Sequence, residues 1–237
     1  MVVTIWNEFR HEKEMPEAAA MYPNGIHACI AEFLKAPDIE IQLASLDEPG
    51  CGLPPEVLER TDVLIWWGHM GHHLVPDEVA ARVVDRVQRG MGFIPLHSSH
   101  KSKPFMALTG CSGSLSWGDD SFERIFCVSP AHPIARGIPE HFDLGMEEMY
   151  SEPFDIPNNS ELIFTSWYRS GFLLRSGFVF RRGRGTVFYF QPGHETCASF
   201  HHPVVQQIIR NAVRFVAPAE VIPALDCPQV RDLEQAK

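Results

Sequence analysis

The first hundred residues alternate between short apolar runs of strand length and longer stretches with helical spacing. Val2 to Trp6, Ile39 to Ala44, Val63 to Trp67 and Gly92 to Leu96 are the strand-like runs. Val63 to Trp67 carries no charge and is closed by Gly68, the pattern of a strand buried on both faces. Between the runs, Ile26, Ile30, Phe33 and Leu34 share one helical face, Pro54 to Arg60 forms a short helix, and Val79, Val83, Val84 and Val87 mark a helix that Pro76 opens and Gly90 ends. The order β-α-β-α-β-α-β predicts an α/β fold. Its sheet should be doubly wound and mostly parallel, with right-handed crossovers and ligands at the carboxyl ends of the strands.

The pattern changes after Leu108. From there to about Pro157 the chain is rich in Gly, Ser, Pro and acidic residues, with Arg124 to Val128 strand-like, and we expect an irregular β-containing insert. Ile163 to Trp167, Gly177 to Phe180 and Val187 to Phe190 then read as successive strands with a hairpin turn at Arg182-Gly-Arg-Gly185. A last helix starts at His202-Pro203, with Val204, Val205, Ile208, Ile209, Ala212, Val213 and Phe215 as its stripe. This predicts one domain over residues 1–217 and a charged, Pro-rich tail over 218–237 that frays.

A chain of 237 residues, 45% apolar, can bury a full core. Its formal charge of −10 argues against a nucleic-acid partner, whose affinity comes from neutralising phosphates. No run of eighteen apolar residues is present to cross a membrane, and the first strand leaves no room for a leader, so a cytoplasmic protein is expected. The six cysteines are scattered without a C-x-x-C pair and are expected to be reduced.

Twelve histidines change the picture, because several follow strand ends. Val2–Trp6 runs into Glu8, Arg10 and His11; Val63–Trp67 into His69, His72 and His73; Gly92–Leu96 into His97 and His100; Val187–Phe190 into His194 and Glu195. Neighbouring parallel strands lie about 4.8 Å apart, so matching carboxyl ends bring such side chains together. His69, His97 and His194 are therefore the candidate ligands of a divalent metal, zinc first, since three imidazoles with an open fourth position acidify a bound water. Glu8, Glu152 and Glu195 are candidates to complete the coordination, act as base or orient a ring. A competing arrangement uses Ser98 or Ser99 as nucleophile, with His194 as base and Glu195 as its orienter.

Several strings together resemble a known family. Asn7-Glu-Phe-Arg-His11, Gly25-Ile-His27, Trp66-Trp-Gly-His69, Leu96-His-Ser98, Pro130-Ala-His-Pro133, Glu147-Glu-Met-Tyr150 and Pro192-Gly-His-Glu195 look like the ThuA-like, or trehalose-utilisation, proteins, over residues 2 to 216. The resemblance implies a flavodoxin-like fold related to class I glutamine amidotransferases. It also implies a role in the catabolism of trehalose or similar disaccharides, beside a sugar dehydrogenase that makes 3-keto sugars. Where the amidotransferases place a cysteine in a Gly-x-Cys-x-Gly elbow, this chain has Leu96-His-Ser-Ser-His100, so glutamine hydrolysis through a thiolate is not expected.

The expected protein is thus a metal-assisted hydrolase, lyase or isomerase acting on a keto-disaccharide or keto-sugar. Glu8 and Glu152 would serve as acid or base with His27 beside them, and His100, His132, Trp117 and Arg10 would hold the sugar. Trp66, Trp67 and Trp167 are further candidate ring faces, although core packing is the use expected at least of Trp66. The apolar content of the insert suggests a homo-oligomer. The alternative is a sugar-binding or partner-docking protein without catalysis.

Overall fold

The computed structural model describes residues 1–231 and residue 233. A single sheet of nine strands runs through it in the order β2-β1-β3-β4-β9-β8-β7-β5-β6. Strands β1 (Val2–Asn7), β2 (Glu40–Ser45), β3 (Val63–Trp67) and β4 (Gly92–Leu96) are parallel, and β9 (Gly185–Phe190) joins β4 in parallel register. Their carboxyl ends form one rim of the sheet.

Alternation along the buried strands sends successive side chains to opposite faces. Val63, Ile65 and Trp67 pack beneath α3 (Ile26–Leu34) and α7 (Pro203–Val216), while Leu64 and Trp66 pack beneath α4 (Pro55–Arg60), α5 (Asp77–Arg89) and α6 (Lys103–Thr109). This doubles the core. Each fully buried Val, Leu, Ile or Phe contributes about 1.5–3 kcal/mol relative to exposure, which is why these strands tolerate no charge. Two short helices, α1 (His11–Glu14) and α2 (Pro16–Met21), occupy the stretch after β1.

The insert is regular where the sequence suggested irregularity. Two long strands, β5 (Ser116–Cys127) and β6 (His141–Ser151), pair antiparallel with register shifts, and the run Arg124–Val128 is only the end of the first. With β7 (Glu161–Tyr168) and β8 (Leu173–Arg182) they extend the parallel sheet by four antiparallel strands, and the β8–β9 hairpin turns where Gly183 adopts φ 58°. The tail does not fray at once. Ile222 donates its N–H to the Arg89 carbonyl (3.0 Å), and Arg89 Nη1 donates to the Pro223 carbonyl (2.6 Å).

All six cysteines are free. No helix among the described residues is long and apolar enough to cross a membrane.

Candidate active site

Four strand ends and β6 bring imidazoles and carboxylates together on the rim. The rings of His69, His97 and His194 form a nearly equilateral triangle, with centroids 5.5, 5.5 and 5.6 Å apart, and His11 stacks on His69 at 5.0 Å. Two carboxylates stand among them. Glu195 Oε2 accepts from His69 Nδ1 (2.9 Å), and Glu148 Oε2 lies 3.0 Å from His97 Nε2 and 4.0 Å from His69 Nε2.

Local backbone devices fix these positions. Glu8 is buried, and its carboxylate accepts the N–H groups of His69 (2.8 Å) and Met70 (3.3 Å), pinning the loop after β3. A Cβ at Gly71 would come within 2.9 Å of that carboxylate, so the loop needs glycine there. Glu147 clamps the loop after β9 in the same manner: it accepts from Gly193 N (3.1 Å) and His194 N (2.9 Å), and also from the Ser199 hydroxyl. Gly193 has φ 139° and touches Phe200, which excludes any larger residue. His97 takes φ 52°, a left-handed conformation that a non-glycine residue holds only when its surroundings enforce it.

Electrostatics follow from this geometry. His97 Nδ1 lies 3.0 Å from the Gln191 carbonyl, to which it donates, and its Nε2 faces the Glu148 carboxylate. Burial alone would push the ring down; the hydrogen bond and charge of Glu148, with Glu147 and Glu195, outweigh it and raise its pKa. Burial would raise Glu148, but the His97 hydrogen bond and the charges of His97, His69 and His194 bring it to about 2. Glu195 behaves alike, pulled to about 2 against burial by His69, His194 and His11. His194 is lowered by burial and then by the charge on His97.

Three-donor groups whose ligand atoms lie within 4.8 Å of one another are His69, Glu148 and His194; His11, His69 and Glu195; and Asp120, His194 and Cys197. The first borders a cavity of about 450 Å³ lined by Trp117, Gly118, Asp119, Asp120, Glu148 and His194. The three expected imidazoles converge, and Glu148 reaches in among them, so that His69, Glu148 and His194 hold donor atoms within 4.8 Å of one another while His97 Nε2 faces Glu148 at 3.0 Å.

Several expected site residues are placed elsewhere. Glu152 is committed to Arg175 (2.7 and 2.8 Å) and to the N–H groups of Phe154 and Arg175, so it is no acid or base of this cluster. His27 is buried against Phe9, with Nδ1 3.0 Å from Asn7 Nδ2. His100 is a core residue: Nδ1 donates to the Gly113 carbonyl (2.6 Å), its ring packs on Tyr150 and Phe154, and burial drops its pKa to about 3. His132 caps the turn Pro133–Ala135 by accepting from Ile134 N, and its ring packs on Phe215. Arg10 pairs with Asp47 in solvent. Trp66 and Trp67 are fully buried, whereas Trp117 is 71% exposed beside the cavity.

The serine alternative also fails on geometry. Ser98 Oγ is bonded to the Tyr150 hydroxyl, and Ser99 Oγ donates to the Trp66 carbonyl (3.0 Å) while accepting from Gly68 N (3.1 Å). The strained elbow position belongs to His97. Glu148 and His11 were missed as site residues, although both lay in strings that the sequence reading had singled out.

Fold and rim define an α/β protein whose mostly parallel sheet gathers imidazoles and carboxylates at the carboxyl ends of its strands. The family model for trehalose utilisation, ThuA, matches residues 2–216, and the chain belongs to that family. The structure is similar to a ThuA-like protein from Bacteroides uniformis (13% identity, 91% of each chain, TM-score 0.69). It is also similar to a cytoplasmic protein from Salmonella typhimurium (12% identity, 92% of this chain and 100% of that one, TM-score 0.62). A glutamine amidotransferase from Thermotoga maritima shares the fold more loosely (11% identity, 91% and 98%, TM-score 0.52). No curated protein matches the sequence. Family membership supports a role in sugar utilisation.

Proposed function

We propose that this chain is a metal-assisted acid–base enzyme of sugar catabolism, acting on a keto-disaccharide or the keto-sugar derived from it. The observation that carries the proposal is the donor group of His69, Glu148 and His194, gathered on the rim beside an open cavity. Two imidazoles and a carboxylate are a donor set suited to a catalytic divalent ion, zinc first, with a position left for substrate. A bound ion of this kind supplies Lewis acidity to a carbonyl or lowers the pKa of a water.

The residues of the chain supply the rest. Glu195 holds His69 through Nδ1, which orients the ring and leaves Nε2 facing Glu148. His97 keeps a proton at Nε2, 3.0 Å from Glu148, and so fixes that carboxylate in its ionised form. His11 is the imidazole left to move a proton: its Nδ1 is buried without a hydrogen-bond partner, and its Nε2 lies 3.8 Å from Glu195. Trp117 offers an exposed ring face, and Asp119 and Asp120 offer acceptors for sugar hydroxyls. Such groups suit proton removal from the carbon beside a ketone, the first step shared by isomerisation and by elimination of a glycosidic bond.

The same reading makes a sugar dehydrogenase the pathway neighbour, the cytoplasm the compartment, and a homo-oligomer the assembly, with the exposed Met146, Phe172 and Leu173 as available apolar surface. Elemental analysis of protein purified without chelator or polyhistidine tag tests the central claim. The expected result is about one divalent ion per chain, lost in H69A, E148A and H194A. Folded wild-type protein that holds no ion after dialysis against zinc would remove it.

A further inference from the structure

Beside the rim group, a second set of donors contains a thiol. Asp120 on β5 and His194 and Cys197 on the segment after β9 each bring one donor atom to within 4.8 Å of the other two. Two local devices make them meet.

The first is a turn. In His194-Glu-Thr-Cys197 the Cys197 N–H donates to the His194 carbonyl (3.0 Å), which closes a turn of the tight kind that aligns residues three apart. Two intervening residues is also the spacing by which zinc sites draw paired ligands from one short segment. Both ends of this turn are held: Glu147 accepts from the His194 N–H (2.9 Å), and Tyr22 Oη donates to the Cys197 carbonyl (2.5 Å). Cys197 is buried, so its thiol is kept inside the site and out of solvent.

The second is a bulge. Gly118 stands opposite Met149 and Ser121 opposite Glu147, so Asp119 and Asp120 together face the single residue Glu148. A two-for-one bulge bends its strand and re-aims side chains. Here it brings Asp120 to the His194–Cys197 turn, at the cavity that Glu148 and His194 also line. The charges that bear most on the thiol are the carboxylates of Glu147, Asp120 and Glu195. Such surroundings oppose a bare thiolate and attract a dication, so the thiolate forms together with the arrival of an ion.

We infer that Asp120, His194 and Cys197 form a second divalent-cation site, adjoining the rim group and sharing His194 with it. Thiolate, imidazole and carboxylate together select a borderline or soft ion such as zinc, cobalt or cadmium over magnesium or calcium. On binding, the ion takes the place of the Cys197 thiol proton, which passes to solvent, and no oxidant or other reactant enters. Loss of that proton among carboxylates, and the exposure of Asp120, make this the weaker of the two sites, filled when an ion is supplied and emptied by dialysis. The shared ring ties its occupancy to that of the rim. The site itself stands apart from the acid–base reading of the rim, since its signal is read in chains that lack the rim donors.

Cobalt titration of the chelator-treated full chain tests this. In H69A and in E148A the expected result is a near-ultraviolet thiolate-to-cobalt band that saturates at about one ion per chain and is missing from the double variant H69A/C197S. The double variant H69A/D120N changes an exposed side chain and should show the band only at cobalt concentrations about tenfold higher or more. No thiolate band in H69A and E148A at saturating cobalt overturns the inference, as does a band that survives C197S. Should C197S not fold, H69A/D120N decides, and cobalt affinity equal to that of H69A would remove the site. Zinc retained by dialysed wild-type protein reports the rim group alone, so either site can fail without the other.

Discussion

His97 Nε2 sits 3.0 Å from Glu148 Oε2 while its Nδ1 donates to the Gln191 carbonyl, so the ring is held between two acceptors. Its hydrogen bond and charge draw the Glu148 carboxyl down to about 2, in a position where burial alone would push it up.

The first prediction concerns acid stability. Glu148 and Glu195 both have folded pKa values drawn down to about 2 from 4.5, so they contribute stability present above the unfolded value and lost as pH falls from about 4.5 toward 2. Replacing His97 by Gln removes the larger pull on Glu148. The expected result is a smaller loss of stability over that acid range in H97Q than in wild type, with a difference on the order of 3 kcal/mol or less between the two limits. Urea unfolding at a series of pH values measures it.

Two imidazoles, one buried and one half-buried, act at higher pH. Burial lowers His100 to about 3 and His72 to about 4, so the unfolded chain binds protons more readily than the folded one from about 6.5 downward. Stability should therefore begin to fall near 6.5, before the carboxylates respond. H100A should flatten that part of the profile, and it should destabilise the protein by roughly 2–4 kcal/mol, because it empties a packed site and orphans the Gly113 carbonyl. An unchanged profile in H100A would place the early titration elsewhere.

The distinction between neighbouring glutamates can be read from two variants. E152A should lower stability by roughly 1–3 kcal/mol, since Arg175 and two backbone N–H groups lose their acceptor, with metal content unaltered. E195Q should keep the fold but weaken zinc binding about 10–100-fold, as expected when the partner that orients a ligating histidine is altered. Competition titration with a chromophoric chelator compares the two.

These outcomes bear on what was legible in the sequence. Val63–Trp67 and Gly92–Leu96 announced buried strands because both faces are covered, and the histidines just past them could converge only at the rim. Strand β5 was obscured, because its first residues are exposed and its polar and apolar positions do not alternate cleanly. That gap hid Glu148. Glu147, Glu148 and Glu152 are alike as letters, and the antiparallel pairing of β6 with β5 decides which carboxylate meets the imidazoles. His100 and His132 misled for the opposite reason, since a histidine that satisfies a carbonyl or caps a turn looks the same in a string as one that faces a ligand.

Trp117 carries the prediction that separates sugar recognition from metal binding. It is 71% exposed on β5, its register partner is Tyr150, and it borders the cavity with Asp119, Asp120, Glu148 and His194. A large aromatic left in water costs little to remove from the fold, so W117A should change the melting temperature by no more than a few degrees, in keeping with an exposed substitution. Its flat apolar face gains only when a ligand covers it. Removal should therefore weaken binding of a disaccharide by about 1–2 kcal/mol, the scale of a central aromatic contact, while the zinc content stays at the wild-type level. Isothermal titration with trehalose and with an oxidised disaccharide gives the comparison. Equal affinity in W117A and wild type for every sugar that binds would mean that the sugar lies elsewhere on the rim, and the cavity would lose its assignment while the donor group kept its own.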